Sequence, residues 1–276
     1  MKEGDIEILI STMNRNSFAF LYKMFPDLKT FPFSLLIINQ TTVHKELISD
    51  IDNVRVINSQ SIGSSKSRNL ALQNATGKLV VISDDDVVFE SDFTKKILDS
   101  YNKNNDVSAI CFQAKNELGS LLKKYPSKEK KNISALDILN VGNIEITLNL
   151  QKIKNSGIGF DENFGLNAVF GLGEEAVFLS DLKNHGFRID FVPKTIVMHP
   201  SITTSNKLKV SDRYFIYGAL FSRIYKSKYL FWVLLKLFFD CKQSKIAIRS
   251  IPRLVKLAIL GRQSFVSLSA NQTKTN

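Results

Sequence analysis

The chain alternates short aliphatic, β-branched runs with stretches whose apolar residues recur at helical spacing. Residues 6–10, 35–38, 54–57, 79–82 and 107–112 read as buried strands, because apolar residues follow one another there with little interruption. Residues 16–24, 64–75 and 92–101 read as helices between them, with Gly77 placed to stop the second. Strands alternating with helices predict an α/β fold with a mostly parallel sheet covered on both faces. Ligands of such sheets gather beyond the carboxyl ends of the strands. The residues that follow each strand are therefore the place to look for chemistry.

The stretch 102–140 interrupts this order. It is rich in Lys, Asn and Ser and reads as loops with a short helix. Regularity returns from Asn143. Residues 174–184 form a helix with Gly186 just past its end, and 188–191 and 195–198 look like strands around Pro193. Residues 210–239 are a long helix candidate, followed by a basic apolar segment, 245–260, broken by Pro252. There is no internal repeat and no low-complexity linker. The first residues are charged and lead straight into a strand, without the apolar region of a signal peptide. The longest apolar stretch, 229–239, is interrupted by Lys236 and is shorter than the roughly 18 residues a span needs.

Charge sharpens the division of the chain. The net charge is +11 over 276 residues. From Lys207 onward there are 14 Lys and Arg against 2 acids, a net of +12, and the rest of the chain is at −1. A neutral body with a basic tail implies an anionic partner for the tail. The tail mixes these cations with Phe, Tyr, Leu and Trp232, which fits an interfacial helix among anionic headgroups. It is too apolar for a surface that tracks nucleic-acid phosphates, so no nucleic-acid partner is expected. Packing of the tail on the body is the other reading of the same pattern. The two cysteines, Cys111 and Cys241, are far apart in apolar surroundings and read as reduced, buried thiols.

The chemistry concentrates after residues 79–82. Ser83-Asp84-Asp85-Asp86 stands at the carboxyl end of that strand, and three adjacent carboxylates repel unless a cation or solvent screens them. A divalent cation, magnesium or manganese, is the natural partner, since both favour carboxylates together with substrate phosphates. In isolation the same run also describes a solvated acidic turn at a helix start. Gly63-Ser64-Ser65-Lys66-Ser67 is not a phosphate loop, because Ser65 occupies the place of the glycine that must precede the lysine. No Gly-x-Gly-x-x-Gly follows the first strand, which argues against a dinucleotide-dependent dehydrogenase.

Three segments in order carry a resemblance. They are Ile62-Gly63-Ser64-Ser65-Lys66-Ser67-Arg68-Asn69-Leu70-Ala71-Leu72, then Ala75-Thr76-Gly77-Lys78, then Val80-Val81-Ile82-Ser83-Asp84-Asp85-Asp86. This succession resembles the donor half of family 2 glycosyltransferases, where a Gly-x-x-x-x-Arg-Asn-x-(Gly/Ala) helix leads through Ala-x-Gly to a strand ending in Asp-x-Asp. Ile8-Leu9-Ile10-Ser11-Thr12-Met13-Asn14-Arg15 resembles the family's first strand and nucleotide loop. Phe160-Asp161-Glu162-Asn163-Phe164-Gly165 followed by Gly171-Leu172-Gly173-Glu174-Glu175 resembles its acceptor side, where the family carries Gly-Glu-Asp at a helix start. The likeness runs over roughly residues 5–200.

The resemblance implies a GT-A type nucleotide-diphospho-sugar transferase fold. Residues 1–205 would be the catalytic domain, with 1–115 the donor half and 116–205 the acceptor half, and 206–276 a basic amphipathic helical extension. Thr12 and Arg15 would border the nucleotide. Asn39 would approach the base, where the family usually has Asp. Arg68 would reach the diphosphate, and Asp84 and Asp85 would contact the donor. Asp86 would be the chief ligand of the metal, with Asp84 and His199 beside it. The base would be Glu175, one methylene longer than the family's Asp, with Glu174 next to it. Helical spacing puts Glu175, Phe178, Leu179 and Leu182 on one inward face and turns Glu174 away from it.

The implied protein is an inverting glycosyltransferase of bacterial surface polysaccharide synthesis, resembling capsule and O-antigen enzymes. It would take a nucleotide-sugar donor, use manganese or magnesium, and extend a glycan or lipid-linked oligosaccharide acceptor. It would work in the cytoplasm, peripherally attached to the inner face of the cell membrane through its tail. Two rivals stay open: a sugar nucleotidyltransferase, which would release pyrophosphate, and a non-catalytic membrane-associated nucleotide-sugar-binding protein.

Overall fold

A computed structural model describes residues 1–200 and 208–275. Backbone contacts divide the chain into two compact units, Met1–Glu162 with Glu174–Ser201, and Asn163–Gly173 with Ile202–Asn276. The boundary expected between residues 205 and 206 falls outside the described residues.

The first unit is built on an eight-stranded sheet. Its strands are β1 (Ile6–Met13), β2 (Ser34–Gln40), β3 (Val54–Ser59), β4 (Leu79–Asp84), β5 (Val88–Phe89), β6 (Ala109–Lys115), β7 (Ile146–Asn149) and β8 (Ile189–Met198), in the order β3-β2-β1-β4-β7-β6-β8-β5. The first four in that order run parallel, as expected, with β2, β1 and β4 buried on both faces and β3 at the sheet edge. Beyond β4 the sheet is mixed: β7 pairs antiparallel with β4 and β6, β8 runs parallel to β6, and β5 antiparallel to β8. Strand β7 went unread in the sequence, because its Ile146-Thr147-Leu148-Asn149 is too short to show a period. The two strands expected around Pro193 are one strand. Its ladder with β6 shifts register between Cys111 and Gln113, and Pro193 lies opposite this irregularity, where no ladder bond is needed from it.

Helices α1 (Ala19–Met24), α2 (Ser64–Asn74), α3 (Phe93–Lys103), α4 (Ala135–Ile138), α5 (Leu150–Ile153) and α6 (Glu174–Asn184) belong to this unit. Helix α6 ends on Gly186 at φ 84°, with the Phe187 N–H donating to the Leu182 carbonyl and the Gly186 N–H to that of Lys183. This is the left-handed cap that glycine accommodates without strain. Gly77 has another role than the expected helix stop. Helix α2 ends three residues earlier, and a Cβ at Gly77 would lie 2.6 Å from that of Glu7. Glu7, fully buried in β1, accepts hydrogen bonds from the Thr76 and Gly77 N–H groups at 2.6 and 2.8 Å and pairs with Arg55 at 2.7 Å. A cluster of Phe25, Phe31, Phe33, Phe89 and Phe93 packs beneath the sheet. Through Phe89 and the buried Val87 it anchors the segment that carries the acidic run.

In the second unit, the long helix expected over 210–239 is two helices, α7 (Val210–Tyr225) and α8 (Tyr229–Lys242). They break at Lys226, whose φ of 52° cannot continue a helix. Helix α9 (Ile251–Thr275) contains Pro252 at its second position, so the proline starts this helix rather than breaking it. Gly218 of α7 and Gly261 of α9 lie at the crossing of the two helices. A Cβ on either would clash with the backbone carbonyl of Ala258 or Phe215 respectively. Cys111 is buried, whereas Cys241 is only half-buried, against the expectation of two buried thiols.

Candidate functional site

Register builds the site. Across the sheet, Ser11 stands beside Asp84, Thr12 beside Asn39, and Asn39 beside Asn58, all toward the carboxyl ends of parallel strands. Every expected donor residue from β1, β2 and β4 therefore lies on one edge, where a parallel sheet presents its ligands.

The three aspartates have three different partners. Asp84 accepts from Arg68 Nη2 at 2.8 Å. Asp85 accepts from Thr12 Oγ1 at 2.5 Å and pairs with Arg15 Nη2 at 2.6 Å. Asp86 Oδ1 lies 3.4 Å from His199 Nε2. The hydrogen bond from His199 holds the Asp86 carboxyl below the usual carboxylate range, and Asp86 in turn raises the imidazole. Repulsion within the run is thus relieved by two arginines and a histidine, each delivered from a separate element.

Asn39 is fully buried, and both ends of its amide are taken. Its oxygen accepts from the Arg15 N–H at 3.0 Å, and its nitrogen donates to the Arg15 carbonyl at 3.1 Å and to Asn58 Oδ1 at 3.0 Å. Asn58 in turn bonds the N–H and carbonyl of Leu47, both at 3.0 Å. Asn39 fixes the backbone at Arg15, with Asn58 as its partner. Asn58 was not singled out in the sequence, although it stands next to last in the neighbouring strand, as Asn39 does in its own.

Arg68 is the hub. It is 4% exposed on α2, and its two terminal nitrogens reach different elements: Nη2 the Asp84 carboxylate, Nη1 Glu174 Oε1 at 2.8 Å. Burial works against its charge, but the two carboxylates outweigh this and keep it a cation. Its Nε has no hydrogen-bond partner among the described residues. Its neighbour Asn69 accepts from the Phe160 N–H at 2.7 Å and donates to the Phe160 carbonyl at 2.9 Å. The adjacent Arg68 and Asn69 therefore join the Asp84 strand end to α6 and to the loop before Asp161.

Glu174 departs from expectation. Instead of turning away, it is 6% exposed and receives Arg68, Asn143 Nδ2 at 3.1 Å and Ser64 Oγ at 3.3 Å. Glu174 is the first residue of α6, where a tertiary cation rather than helical spacing decides orientation. Glu175 is half-buried. Burial first, and then the negative charge of Glu174, push its carboxyl up to about 8, with Arg68 pulling the other way.

The donor set at Asp86 and His199 suits a divalent cation. One carboxylate and one imidazole are adjacent, and the Asp86 side chain is 57% exposed, open to phosphate oxygens and water as further ligands. No cluster of three or more metal-type side chains occurs among the described residues. Asp84 is held by Arg68 and Asp85 by Arg15, which leaves Asp86 and His199 as the pair that could hold a cation.

Carboxylates, arginines and an imidazole thus gather on the carboxyl edge of a half-parallel sheet, where an α/β domain presents its ligand site. Residues 8–161, more than half of the chain, match the family described as Glycosyl transferase family 2, and the chain belongs to that family. No curated protein sequence matches it. Among solved structures it is similar to S. aureus TarS 1–349, with a TM-score of 0.59 at 16% identity, covering 91% of this chain and 78% of that one. The same fragment in complex with UDP-GlcNAc matches with a TM-score of 0.60 at 16% identity, covering 91% and 79%. A longer TarS structure matches at 0.57 and 16%, covering 90% of this chain, which spans only 46% of that one. At such identities the likeness concerns the fold, which is the α/β transferase fold expected, with helices following the sheet.

Proposed function

We propose that the protein transfers a sugar, with inversion, from a nucleoside diphosphate sugar to a hydroxyl of a membrane-borne glycan, as in the assembly of a bacterial surface polysaccharide. Arg68, bridging Asp84 and Glu174, carries the reading: one buried cation ties the strand end assigned to the donor to the helix start assigned to the acceptor. The UDP-GlcNAc complex of TarS supports a uridine nucleotide as the first donor to try. Glu175 is the base. A carboxyl pushed up to about 8 is matched to taking a hydroxyl proton near neutral pH. The deprotonated oxygen attacks the anomeric carbon, the bond to the diphosphate breaks, and the nucleoside diphosphate leaves. Thr12, Arg15 and Asp85 border the nucleotide. A divalent cation held by Asp86 and His199 would neutralise charge on the leaving diphosphate.

A screen of nucleotide-sugars for manganese-dependent hydrolysis and transfer tests the reading. Glu175→Gln is expected to cut turnover by about 10²- to 10⁴-fold while donor binding persists. Near-normal turnover in that variant would remove Glu175 as the base.

A further inference from the structure

Helix α8 turns an apolar face outward. Leu230, Phe231, Leu234 and Phe238 are exposed, Phe231 at 63% and Phe238 at 61%. At 100° per residue they fall within one arc of the helix. The side adjoining Leu230 is used internally, with Val233 and Leu237 buried, and Trp232, beyond the other edge of the arc, stacks on Tyr225 at 4.0 Å. The one acid of the helix, Asp240, is also buried, held by Tyr214 at 2.8 Å and Lys236 at 2.5 Å. The exposed arc thus carries no negative charge. Lys226 and Lys228 stand exposed at its start, and Lys242, Lys245 and Arg249 at and beyond its end, with Ile248 exposed among them.

Exposed apolar side chains gathered on one helix face cost free energy in water and mark a contact. Charge decides with what. From Lys207 onward the chain carries a net +12, so a second copy docked through this face would set cation against cation. An anionic lipid surface offers both things the face lacks, apolar depth for the phenylalanines and phosphates for the lysines. We propose that α8 is a lipid-docking helix, with Phe231, Leu234 and Phe238 entering the headgroup–acyl boundary of an anionic bilayer and the flanking lysines on its phosphates. The proposal rests on the membrane-borne acceptor for its purpose, but the surface exists independently of the transfer chemistry.

The test is sedimentation of the whole chain with phosphatidylcholine vesicles, with and without phosphatidylglycerol. The wild type is expected to bind the phosphatidylglycerol vesicles at least about tenfold more tightly. The double variant Phe231→Ser, Phe238→Ser is expected to lose at least about tenfold of that affinity. Lys226→Gln, Lys228→Gln and Lys242→Gln together should weaken binding to the anionic vesicles by about 10²-fold, at roughly fivefold per lysine, and leave binding to phosphatidylcholine unchanged. All five side chains are exposed, and an unchanged circular dichroism spectrum and melting temperature confirm the fold of each variant. Wild type left in the supernatant with phosphatidylglycerol overturns the proposal. So does vesicle binding unaffected by the serine variant, or a concentration-dependent dimer that the serine variant dissolves. Manganese-dependent donor binding, measured without vesicles, fails or succeeds separately and reports on the transferase reading alone.

Discussion

At the level of single side chains, the site depends on one buried arginine with two obligations. Removing Arg68 leaves the Glu174 carboxylate buried and Asp84 without its counter-ion. Arg68→Met should therefore cost about 3–5 kcal/mol in urea denaturation, and adding Glu174→Gln should restore part of it. Glu174 also sets the protonation of its neighbour. Because the charge of Glu174 helps raise Glu175 to about 8, the acid limb of kcat/KM should rise through that pH as the base loses its proton. In Glu174→Gln a negative neighbour disappears while Arg68 remains, so the limb should move to lower pH. An unshifted limb would separate Glu175 from the pH dependence. Arg68, Asp86 and Glu175 stood out in the sequence because each sits inside a motif. The locking of Glu174 did not, since its partners Arg68, Ser64 and Asn143 are distant in sequence and meet only through the fold.

At the level of elements, the aliphatic runs located β1 to β4 correctly: β1, β2 and β4 are buried on both faces and so mostly apolar along their length, and the edge strand β3 keeps Val54, Val56 and Ile57. Helices α2, α3 and α6 were also read to within a few residues, their ends marked by local residues such as Gly186. The single helix expected over 210–239 failed at Lys226, where no glycine or proline announces the break. Close packing of α7 on α9 is equally silent in periodicity, as it depends on two glycines meeting carbonyls of the other helix. Gly218→Ala should force these helices apart and destabilise the second unit by about 1–3 kcal/mol. Thermal unfolding followed by tryptophan fluorescence reports this, since Trp232 lies in that unit and stacks on Tyr225. An unchanged transition would contradict the packing.

At the level of the molecule, ligand binding should show as stability. A donor sugar nucleotide with manganese, at about 100 times its Kd, should stabilise the protein by about 2.7 kcal/mol. EDTA should abolish that gain without lowering the melting temperature of the free protein, where Asp86 and His199 already pair with each other. Asp86→Ala should remove the manganese-dependent part of the gain, and an equal gain in that variant would withdraw Asp86 as a ligand. The sequence by itself determined the α/β class, the strand that ends in the acidic run, the family likeness and the basic tail, because periodicity, local motifs and charge counts are properties of neighbours along the chain. The tertiary structure decided that Glu174 faces inward on Arg68, that Asn39 spends its amide on Arg15 and Asn58, that the three aspartates go to three different partners, and that α8 keeps an apolar face bare. These depend on strand register and on which side of a helix meets its neighbour. Both are set by the packing of residues far apart in the chain, which no local pattern records.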